Sequence, residues 1–473
     1  MTTVLRARAE DLHEVAAGGR PVLFHVPSSG LFDLDEPSRA ILELLRTREA
    51  PVDELVRRLD GRHAAGTVRE AAAELLRLRL VQAGPAHAAP RPAVPTGALT
   101  TLVLNVTSGC NLACTYCYKE DLRPAGGAAR LSEDAGRAAV DLLLSESGSP
   151  RVGITYFGGE PLTNLPLIKR LTDYAERRAG ECGRSVDFSL TTNGTLLDDA
   201  VIAWLDEHRF GITVSIDGPA ELHDRNRRTP GGHGTHAAVE PKVRRLLERF
   251  RSRPVGARVT VTSGGADVAL IHRHLKDELG FAEVGFAPVT AGMPAAHRLG
   301  PEEERAFFDG LLALGCRWRD AARQGRDIGF SNLSQLIGVL HQGAAKRVPC
   351  GAGLSLLAVD TNGTLELCHR FAGSGLGGVG DVRNGPDRAA LAAFLERAQD
   401  RAEGCASCWV RHLCAGGCYH EAHARHGDLF HITDHYCDPM REWIAFGIGV
   451  YVDLMATNPG FLRHRYASGR TAA

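Results

Sequence analysis

The sequence has no excess of charge of either sign, no apolar run of membrane length and no apolar segment near its first residue. Its 55 Lys and Arg face 56 Asp and Glu, which leaves a net charge of −1. This balance offers no bulk attraction to nucleic acid or to an anionic membrane. The apolar run Trp443–Val452 spans only ten residues, about half of a membrane-spanning helix. The first residues, MTTVLRARAEDLHEV, also lack a signal-peptide core. We therefore expect a soluble, cytoplasmic protein that binds neither nucleic acid nor membrane.

Cysteine is unusually abundant in this sequence. The chain of 473 residues has an ordinary composition, with 44% apolar and 23% charged residues, but it has 12 cysteines. In a reducing cytoplasm, clustered cysteines are typical of metal ligands rather than of disulfides. Ten of them fall into two groups, at 110–117 and 350–437. The other two, Cys182 and Cys316, stand alone, and we expect them to be small buried apolar side chains.

Residues 1–82 are predicted to form a first domain. Residues 22–26 and 31–34 have the pattern of a hairpin, and three amphipathic helices follow, the first beginning near Asp35 and Pro37. This is the outline of a winged helix, a fold that often binds DNA. The segment carries 12 Arg, no Lys and 13 Asp and Glu, whereas a DNA-binding face is normally basic. The charges therefore disfavour DNA binding.

Residues 83–98 contain four prolines and are predicted to be a semi-rigid linker, which would keep the parts on either side separable. From Leu99 onward, apolar runs alternate with helical stretches, and this alternation predicts a parallel α/β sheet with right-handed crossovers. Six such units suit a partial barrel, with the chemistry at the carboxyl ends of the strands. The predicted strands are 101–106, 151–157, 186–192, 211–216, 257–262 and 283–288.

Cys110, Cys114 and Cys117 follow the first of these strands, in the spacing Cys-x3-Cys-x2-Cys. A structural zinc site needs four ligands, and no histidine lies close in sequence. Three cysteines around a four-iron cluster leave one iron without a protein ligand. An open iron is what a chemical function needs, because a substrate can bind there.

This loop, together with Gly158-Gly159-Glu160-Pro161 after the second strand, resembles the radical S-adenosylmethionine (SAM) superfamily over residues 101–290. The resemblance implies that the three cysteines hold a [4Fe–4S] cluster. It also implies reductive cleavage of S-adenosylmethionine to a 5′-deoxyadenosyl radical, which abstracts a hydrogen atom from the substrate.

The resemblance further implies which residues contact S-adenosylmethionine. Gly158, Gly159 and Glu160 would receive the methionine amino group, since glycines allow close approach and a carboxylate accepts N–H bonds. Ser215 and Arg258 would contact the ribose and the carboxylate, for which the two-pronged guanidinium is suited. The remaining candidates are Tyr116 on the adenine side and Thr192 and Asn193 on the same rim.

The second cysteine group could by itself be a zinc ribbon. Behind a radical SAM core it resembles the SPASM extension, which carries two auxiliary iron–sulfur clusters. The resemblance assigns one set of cysteines to a distal cluster and three others to a proximal one. The distal set is Cys405, Cys408, Cys414 and Cys437, and the proximal set is Cys350, Cys368 and Cys418. The proximal iron left over is either open or bound by a fourth protein ligand, such as Cys316 or an oxygen or nitrogen side chain.

The residues after Cys368 distinguish between members of this group. Sulfatase-maturing enzymes have an aspartate there, which acts as a base, whereas this chain has His369-Arg370-Phe371. This departure and the added N-terminal domain argue against sulfatase maturation. Cys-His-Arg-Phe with a downstream Gly-Asp-Val resembles the thioether-forming peptide maturases, namely the SCIFF/ranthipeptide enzymes and the quinohemoprotein amine dehydrogenase maturase. The segment 117–122 is most similar to the latter. The resemblance makes His369 a candidate base, with a structural hydrogen bond to the cluster as the alternative.

We therefore predict an α/β fold built around a partial (β/α)6 radical SAM barrel. The predicted units are a winged-helix recognition element for ribosomally made peptides (1–82), the linker (83–98), the barrel (99–290), a helical bridge (291–345), the SPASM domain (346–440) and a C-terminal helix and tail (441–473).

The predicted function is radical formation of thioether bonds, from cysteine sulfur to carbon, in a precursor peptide or small protein subunit. The enzyme would use three [4Fe–4S] clusters, S-adenosylmethionine and an electron donor such as flavodoxin or ferredoxin. The N-terminal domain would bind the leader peptide as an added strand. The alternatives are carbon–carbon cross-linking, oxidative decarboxylation, sulfatase maturation and a metal-binding DNA regulator.

Overall fold

The computed structural model describes residues 3–84, 99–118, 128–265, 267–289, 295–346, 348–372, 374, 376, 378–401 and 405–466. The part formed by residues 3–84 has two small antiparallel sheets and three helices. Its strands are β1 (Val4–Arg6), β2 (Leu12–Ala17), β3 (Arg20–His25), β4 (Gly30–Phe32), β5 (Ala50–Pro51) and β6 (Gln82–Ala83), and its helices are α1 (Glu36–Thr47), α2 (Val52–Arg58) and α3 (Ala65–Arg77).

This N-terminal part, residues 3–84, contains the predicted hairpin, as β3 and β4, and the three predicted helices. Helix α1 begins where the capping pattern indicated, because the Asp35 side chain accepts a hydrogen bond from the Ser38 amide at 3.0 Å. The sheets have the orders β2-β3-β4 and β5-β1-β6. Strands β1, β5 and β6 were not predicted, since strands of two or three residues are too short to show a hydrophobic period. The six-residue strand β2, which pairs with β3, was also missed.

The central part has six parallel strands in chain order, and each matches a predicted strand to within two residues. The strands are β7 (Thr101–Thr107), β8 (Arg151–Gly158), β9 (Ser185–Thr192), β10 (Gly211–Ser215), β11 (Val255–Val261) and β12 (Glu283–Pro288). The helices between and after them are α4 (Glu133–Glu146), α5 (Leu165–Glu181), α6 (Asp199–Glu207), α7 (Ala220–Asn226), α8 (His236–Arg249) and α9 (Val268–Arg273), and α9 continues as a π-helix over His274–Leu279.

Two strands from the C-terminal part extend this sheet beyond the six that were predicted. The remaining elements are α10 (Pro301–Arg323), α11 (Ser331–Gln342), β13 (Leu356–Val359), β14 (Leu365–Glu366), β15 (Gly380–Asp381), β16 (Gly385–Pro386), α12 (Arg388–Arg401), α13 (Arg411–Cys414), α14 (Tyr419–His426), α15 (Cys437–Thr457) and α16 (Pro459–Tyr466). Strand β13 pairs parallel with β7, and β14 pairs antiparallel with β13. The sheet order is therefore β12-β11-β10-β9-β8-β7-β13-β14. Strand β14, which ends two residues before Cys368, is thus joined through β13 to the first barrel strand, β7.

The N-terminal part packs against the rest of the chain. Val15, Phe24 and Val26 belong to the same buried apolar cluster as the barrel strands, and α15 packs against β2. The opposite side of the N-terminal part has its own core between its helices and sheets. The N-terminal part and the barrel thus share an apolar core, which does not fit the prediction that they are separable. The predicted linker lies outside the described residues, apart from 83 and 84.

The apolar run Trp443–Val452 lies in α15 and packs against α10 and α11. Within the described ranges, no helix combines the length and the apolar character that a membrane crossing requires. Cys182 is exposed at the end of α5, so the prediction that it is buried was wrong. Cys316 is half-buried within α10.

Candidate active site

The cysteine loop, residues 108–117, follows β7 and is held by the chain that leaves α7. The amide of Ala113 donates to the carbonyl oxygen of Arg228 at 2.8 Å, and the amide of Thr115 donates to that of Asn226 at 3.0 Å. The Thr115 hydroxyl also donates to Asn226 Oδ1 at 2.8 Å. These bonds fix the loop backbone over the end of the barrel, so the three cysteines are carried on an ordered turn.

The three thiols of the loop are close enough to affect one another's pKa values. Burial raises the pKa of the Cys114 thiol to about 12; Arg227 opposes this shift, and the neighbouring Cys117 and Cys110 add to it. Burial likewise raises the pKa of Cys110, which Glu160 and Cys117 raise further. Metal ligation supplies the positive charge that stabilises buried thiolates. The donor set therefore fits an iron–sulfur cluster with three protein ligands.

Tyr116 fastens the loop to the neighbouring strands. Its hydroxyl donates to Asp217 Oδ2 at 2.7 Å, and Arg227 Nε donates to the same oxygen at 2.9 Å. Asp217 Oδ1 accepts the Thr260 amide at 3.0 Å. The Arg227 guanidinium lies 5.4 Å from the centre of the Tyr116 ring. Tyr116 is only 9% exposed, so it packs the loop against these strands. Its position on the adenine side stays a prediction.

Gly158 and Gly159 allow the end of β8 to approach the cysteine loop. Gly158 has φ +152°, and a Cβ there would lie 2.3 Å from the Thr107 oxygen. A Cβ on Gly159 would lie 2.2 Å from the oxygen of Gly109. The amides of Gly159 and Glu160 donate to these two oxygens, each at 3.0 Å. Backbone packing is therefore enough to require both glycines, whatever they contact in a bound cofactor.

Glu160 is a buried carboxyl group at the centre of the site, with 1% exposure. It accepts the Asn193 amide at 2.7 Å, the Thr192 hydroxyl at 2.9 Å and the Leu162 amide at 3.1 Å. Burial raises the pKa of Glu160 to about 7, and these three donors lower it. A carboxylate has about four acceptor positions, so Glu160 retains capacity for one more donor, such as an ammonium group.

Asn193 joins the third strand to the cysteine loop. Its Nδ2 lies 3.8 Å from Cys110 Sγ and donates to Asn111 Oδ1 at 3.0 Å. Asn111 in turn donates to the Thr195 hydroxyl, which donates to Asn193 Oδ1. Thr192 and Asn193 therefore orient Glu160 and the loop. Their place on the rim of the cofactor site stays a prediction.

Ser215 and Arg258 are partners in the register of β10 and β11, so their side chains leave the same face of the sheet. Arg258 is exposed, yet protein surrounds it closely enough that desolvation lowers its pKa, and Arg370 lowers it further. An exposed side chain enclosed in this way lies inside the mouth of the barrel. Both residues are therefore in position for a ligand bound above the strands.

The residues after Cys368 also reach this mouth. The His369 ring lies 4.4 Å from the ring of Phe157, which directly precedes the two glycines of β8. The Arg370 guanidinium lies 5.0 Å from the ring centre of Tyr118, the residue after Cys117. Burial raises the pKa of Tyr118, and Cys117 and Cys368 both contribute to this rise. Tyr118 therefore lies between the cysteine loop and the proximal cysteines.

Within each of the two predicted auxiliary sets, the folded chain places cysteines next to one another. Burial raises the pKa of the Cys368 thiol to about 11, and Cys418 and Cys350 raise it further, so these three are neighbours. Burial raises the pKa of Cys437, Arg441 opposes this shift, and Cys414 and Cys408 add to it. The amide of Cys408 donates to the oxygen of Cys405 at 2.8 Å.

Sequence reasoning missed the buried pair of Asp217 and Arg227, whose side chains are 4% and 7% exposed. Asp217 carried a signal, since it directly follows a buried strand at the carboxyl end of the sheet. Arg227 carried none, because it reaches the cysteine loop only through folding. His420 likewise carried no signal in the sequence, although its ring lies 5.7 Å from that of Tyr118 in the folded chain. Residues 119–122 of the predicted motif lie outside the described residues.

Comparison with known proteins agrees with this geometry. Residues 104–267 match the model of the Radical SAM superfamily. The cysteine-type anaerobic sulfatase-maturating enzyme of Clostridium perfringens is 25% identical over 366 residues, which are 74% of this chain and 96% of that enzyme. The serine-type enzyme of Bacteroides thetaiotaomicron is 30% identical over 196 residues, 41% of this chain and 46% of that enzyme.

Two solved structures resemble the fold. Native anSMEcpe with bound AdoMet has a TM-score of 0.65 at 21% identity and covers 76% of this chain and 99% of its own. Streptococcus suis SuiB bound to precursor peptide SuiA has a TM-score of 0.50 at 14% identity and covers 91% of this chain and 99% of its own. A radical SAM domain binds S-adenosylmethionine and a [4Fe–4S] cluster. Residues 104–267 match such a domain, so this part of the chain is a radical SAM domain.

Proposed function

We propose that this enzyme modifies a peptide or protein by forming thioether bonds between cysteine sulfur and carbon. The coarser part, action on a peptide or protein, is supported by the relatives, which are named as sulfatase-maturating enzymes, and by SuiB, which was solved with a precursor peptide. The finer part rests on one observation, the proximity of the three-cysteine proximal set to the barrel mouth.

Cys110, Cys114 and Cys117 would hold the [4Fe–4S] cluster that binds S-adenosylmethionine, and Glu160 would accept its amino group. Ser215 and Arg258 face the same space, and Arg258 suits the carboxylate. When bound, the cluster and S-adenosylmethionine supply the 5′-deoxyadenosyl radical. The residues of the chain then orient the substrate carbon and exclude water from the barrel.

Cys350, Cys368 and Cys418 of the proximal set would hold a four-iron cluster through three thiolates, which would leave one iron for the substrate cysteine. His369 and Arg370 extend from Cys368 to Phe157 and Tyr118, so a sulfur bound there would lie beside the barrel mouth. Holding sulfur and carbon together lowers the entropic part of the barrier. Forming the carbon–sulfur bond would release one hydrogen atom, one proton and one electron. The hydrogen atom would pass from carbon to the 5′-deoxyadenosyl radical, giving 5′-deoxyadenosine. The thiol proton would pass to a base such as His369, and the auxiliary cluster would accept the electron.

The N-terminal part would bind the leader of the peptide substrate. Among the described strands, β4 pairs only with β3, whereas the outer side of β2 is covered by α15. A groove between this sheet and α1 lies close to that edge. Its lining mixes leucines with charges of both signs, namely Glu14, Leu23, Leu34, Arg39, Leu42, Glu43 and Arg46. An extended leader could therefore add to the β4 edge and place side chains in the groove.

The test uses a precursor peptide encoded beside the gene of this enzyme, in a cysteine form and a Cys-to-Ser form. Electron paramagnetic resonance of the reduced enzyme should show one auxiliary signal shift with the cysteine form only. Mass spectrometry of the product should show the loss of two hydrogens per cross-link. If both forms bind through the leader and give identical spectra, the open-iron mechanism is wrong.

Sulfatase maturation is the second candidate, because the chain aligns with 96% of the length of a sulfatase-maturating relative. This reaction would oxidise a single cysteine of a sulfatase peptide to an aldehyde. The product would lack the cysteine sulfur, unlike a thioether. Incubation with a sulfatase-derived peptide and with the precursor peptide separates the two functions by product mass.

A further inference from the structure

The N-terminal part is bound to the turn that carries distal cysteines. Arg411 lies between Cys408 and Cys414, and its Nη2 donates to Asp11 Oδ1 at 2.5 Å. Its Nη1 donates to the carbonyl oxygens of Glu10, at 3.1 Å, and Cys408, at 3.3 Å. The Arg411 and Asp11 side chains are only 14% and 11% exposed. One guanidinium therefore ties the cysteine turn to the N-terminal part through a nearly buried ion pair.

Aromatic packing adds a second contact next to a cysteine. Trp409, the residue after Cys408, stacks on the His13 ring with centres 4.1 Å apart and planes 8° apart. The Phe24 ring meets Trp409 edge-on at 5.8 Å and is 0% exposed. The N-terminal residues in these contacts belong to β2, to β3 and to the turn before β2. The docking surface is thus built by the cysteine turn itself and by α15, which packs against β2.

We infer that the distal cysteines have a further function, which is to position the N-terminal part on the enzyme. Trp409 directly follows one metal ligand, and Arg411 lies within the short span before Cys414. Metal ligation of such a turn fixes its conformation. Loading of the distal site and docking of the N-terminal part should therefore stabilise each other, since coupling between two sites is reciprocal.

The competing explanation is that the turn is rigid without metal. The amide of Cys408 donates to Cys405 at 2.8 Å, and the amide of Cys414 donates to Val410 at 2.9 Å. If these local bonds are sufficient, loss of the distal iron should leave the docking unchanged. The two explanations thus differ in a measurable property, the exposure of the docked surface.

The consequence for catalysis rests on the proposed function, whereas the docking does not. If the N-terminal part captures the leader, the groove at β4 has a fixed orientation toward the barrel only while that part is docked. An enzyme without distal iron would then no longer hold the bound peptide in a fixed orientation toward the barrel. Radical formation in the barrel would not require this contact.

Carbene footprinting of the full-length, cluster-loaded enzyme, without any peptide, tests the docking directly. Phe24 is the reporter, because undocking exposes it, and Phe210 in the barrel core is the internal reference. We expect Cys408→Ala to raise the labelling of Phe24 by about tenfold, which is within the ordinary range of coupling between two sites. The matched control Cys350→Ala removes a proximal ligand and should leave Phe24 protected.

Unchanged Phe24 labelling in Cys408→Ala, with the loss of distal iron verified, would overturn the inference. Equal increases in both cysteine variants would also overturn it, because they would indicate general loosening. Since no peptide is present, neither outcome bears on whether the enzyme makes thioethers.

A variant on the N-terminal side keeps the test valid if Cys408→Ala does not fold. Asp11→Asn changes no residue of the cysteine turn, and we expect it to speed the loss of distal iron to a chelator by about tenfold, because it leaves Arg411 without its buried partner. Asp53→Asn is the matched control, since Asp53 forms an exposed ion pair with Arg69 in the same part. Equal rates of iron loss in Asp11→Asn and the wild type would contradict the coupling.

Discussion

Tyr116 of the cysteine loop donates a hydrogen bond of 2.7 Å to Asp217, the second residue after β10. Asp217 also pairs with Arg227, and both charged side chains are nearly fully buried. One carboxylate thus connects the cysteine loop after β7 to the end of β10, which lies three crossovers away. The geometry of the cluster site therefore depends on residues that are not ligands.

The variants Tyr116→Phe and Asp217→Ala should differ in their cost to stability. Tyr116→Phe removes one hydrogen bond to a charged group and should cost about 1.5–3 kcal/mol. Asp217→Ala leaves the buried Arg227 unpaired and should cost about 3–5 kcal/mol. Denaturant unfolding of the cluster-loaded enzyme checks the order. A cost of Tyr116→Phe equal to that of Asp217→Ala would show that the Arg227 pair has no separate role.

Alanine at any of Cys110, Cys114 or Cys117 should abolish cleavage of S-adenosylmethionine and leave the auxiliary iron in place. A loop this short has no other thiolate to offer in their place. The release of 5′-deoxyadenosine and the iron content, measured after anaerobic reconstitution, give the two readouts. Full 5′-deoxyadenosine release by the triple variant would refute the assignment of the loop.

Gly159→Ala should disrupt the cluster site, because the new Cβ would lie 2.2 Å from the backbone oxygen of Gly109. The loop would have to move away from β8, and Glu160 would move with it. We expect loss of the iron bound by the loop and of 5′-deoxyadenosine release. Gly180→Ala is the matched control, since a Cβ there meets nothing within 4 Å. Normal iron content in Gly159→Ala would mean that the loop tolerates the shift.

His223 should make the fold sensitive to acid. Burial lowers the pKa of His223 to about 2, and the facing Arg227 and His236 lower it further. Because the folded-state pKa lies below the unfolded value of about 6.5, stability is fully present above that pH and falls by about 1.4 kcal/mol per unit below it. The fall of the thermal midpoint between pH 7 and pH 5 should be smaller in His223→Gln. If the thermal midpoint falls equally in the wild type and in His223→Gln, His223 does not contribute to the acid sensitivity.

A chain cut between its N-terminal part and its barrel should remain one particle. Phe24, Val15 and Val26 share the main apolar core, and the Asp11–Arg411 pair joins the two parts. A protease site inserted at Pro90, within the predicted linker, allows the cut to be made after folding. Gel filtration should then show both fragments eluting together. Separation into two peaks would restore the original expectation of two separable parts.

Most of the barrel could be predicted from sequence, because its strands are local patterns. Each of the six parallel strands has enough apolar residues in a row to be recognised alone. Strand β13 could not be predicted, since its four residues become a strand only by pairing with β7, about 250 residues earlier. The contact between Arg411 and Asp11 is more remote still, since 400 positions separate the two residues.

The sequence by itself identified the radical SAM domain, because its cysteine motif and its glycine–glutamate motif resemble those of that family and each lies within a few residues of chain. It also indicated which auxiliary cysteines belong together, and the neighbourhoods of Cys368 and Cys437 agree with that division. Only the tertiary structure decided what the polar residues do. Tyr116, Thr192, Asn193 and the two glycines prove to hold the loop and Glu160 in place. The physical reason is that a hydrogen bond or a close backbone contact depends on distance in space, which local patterns do not record when the partners lie many residues apart.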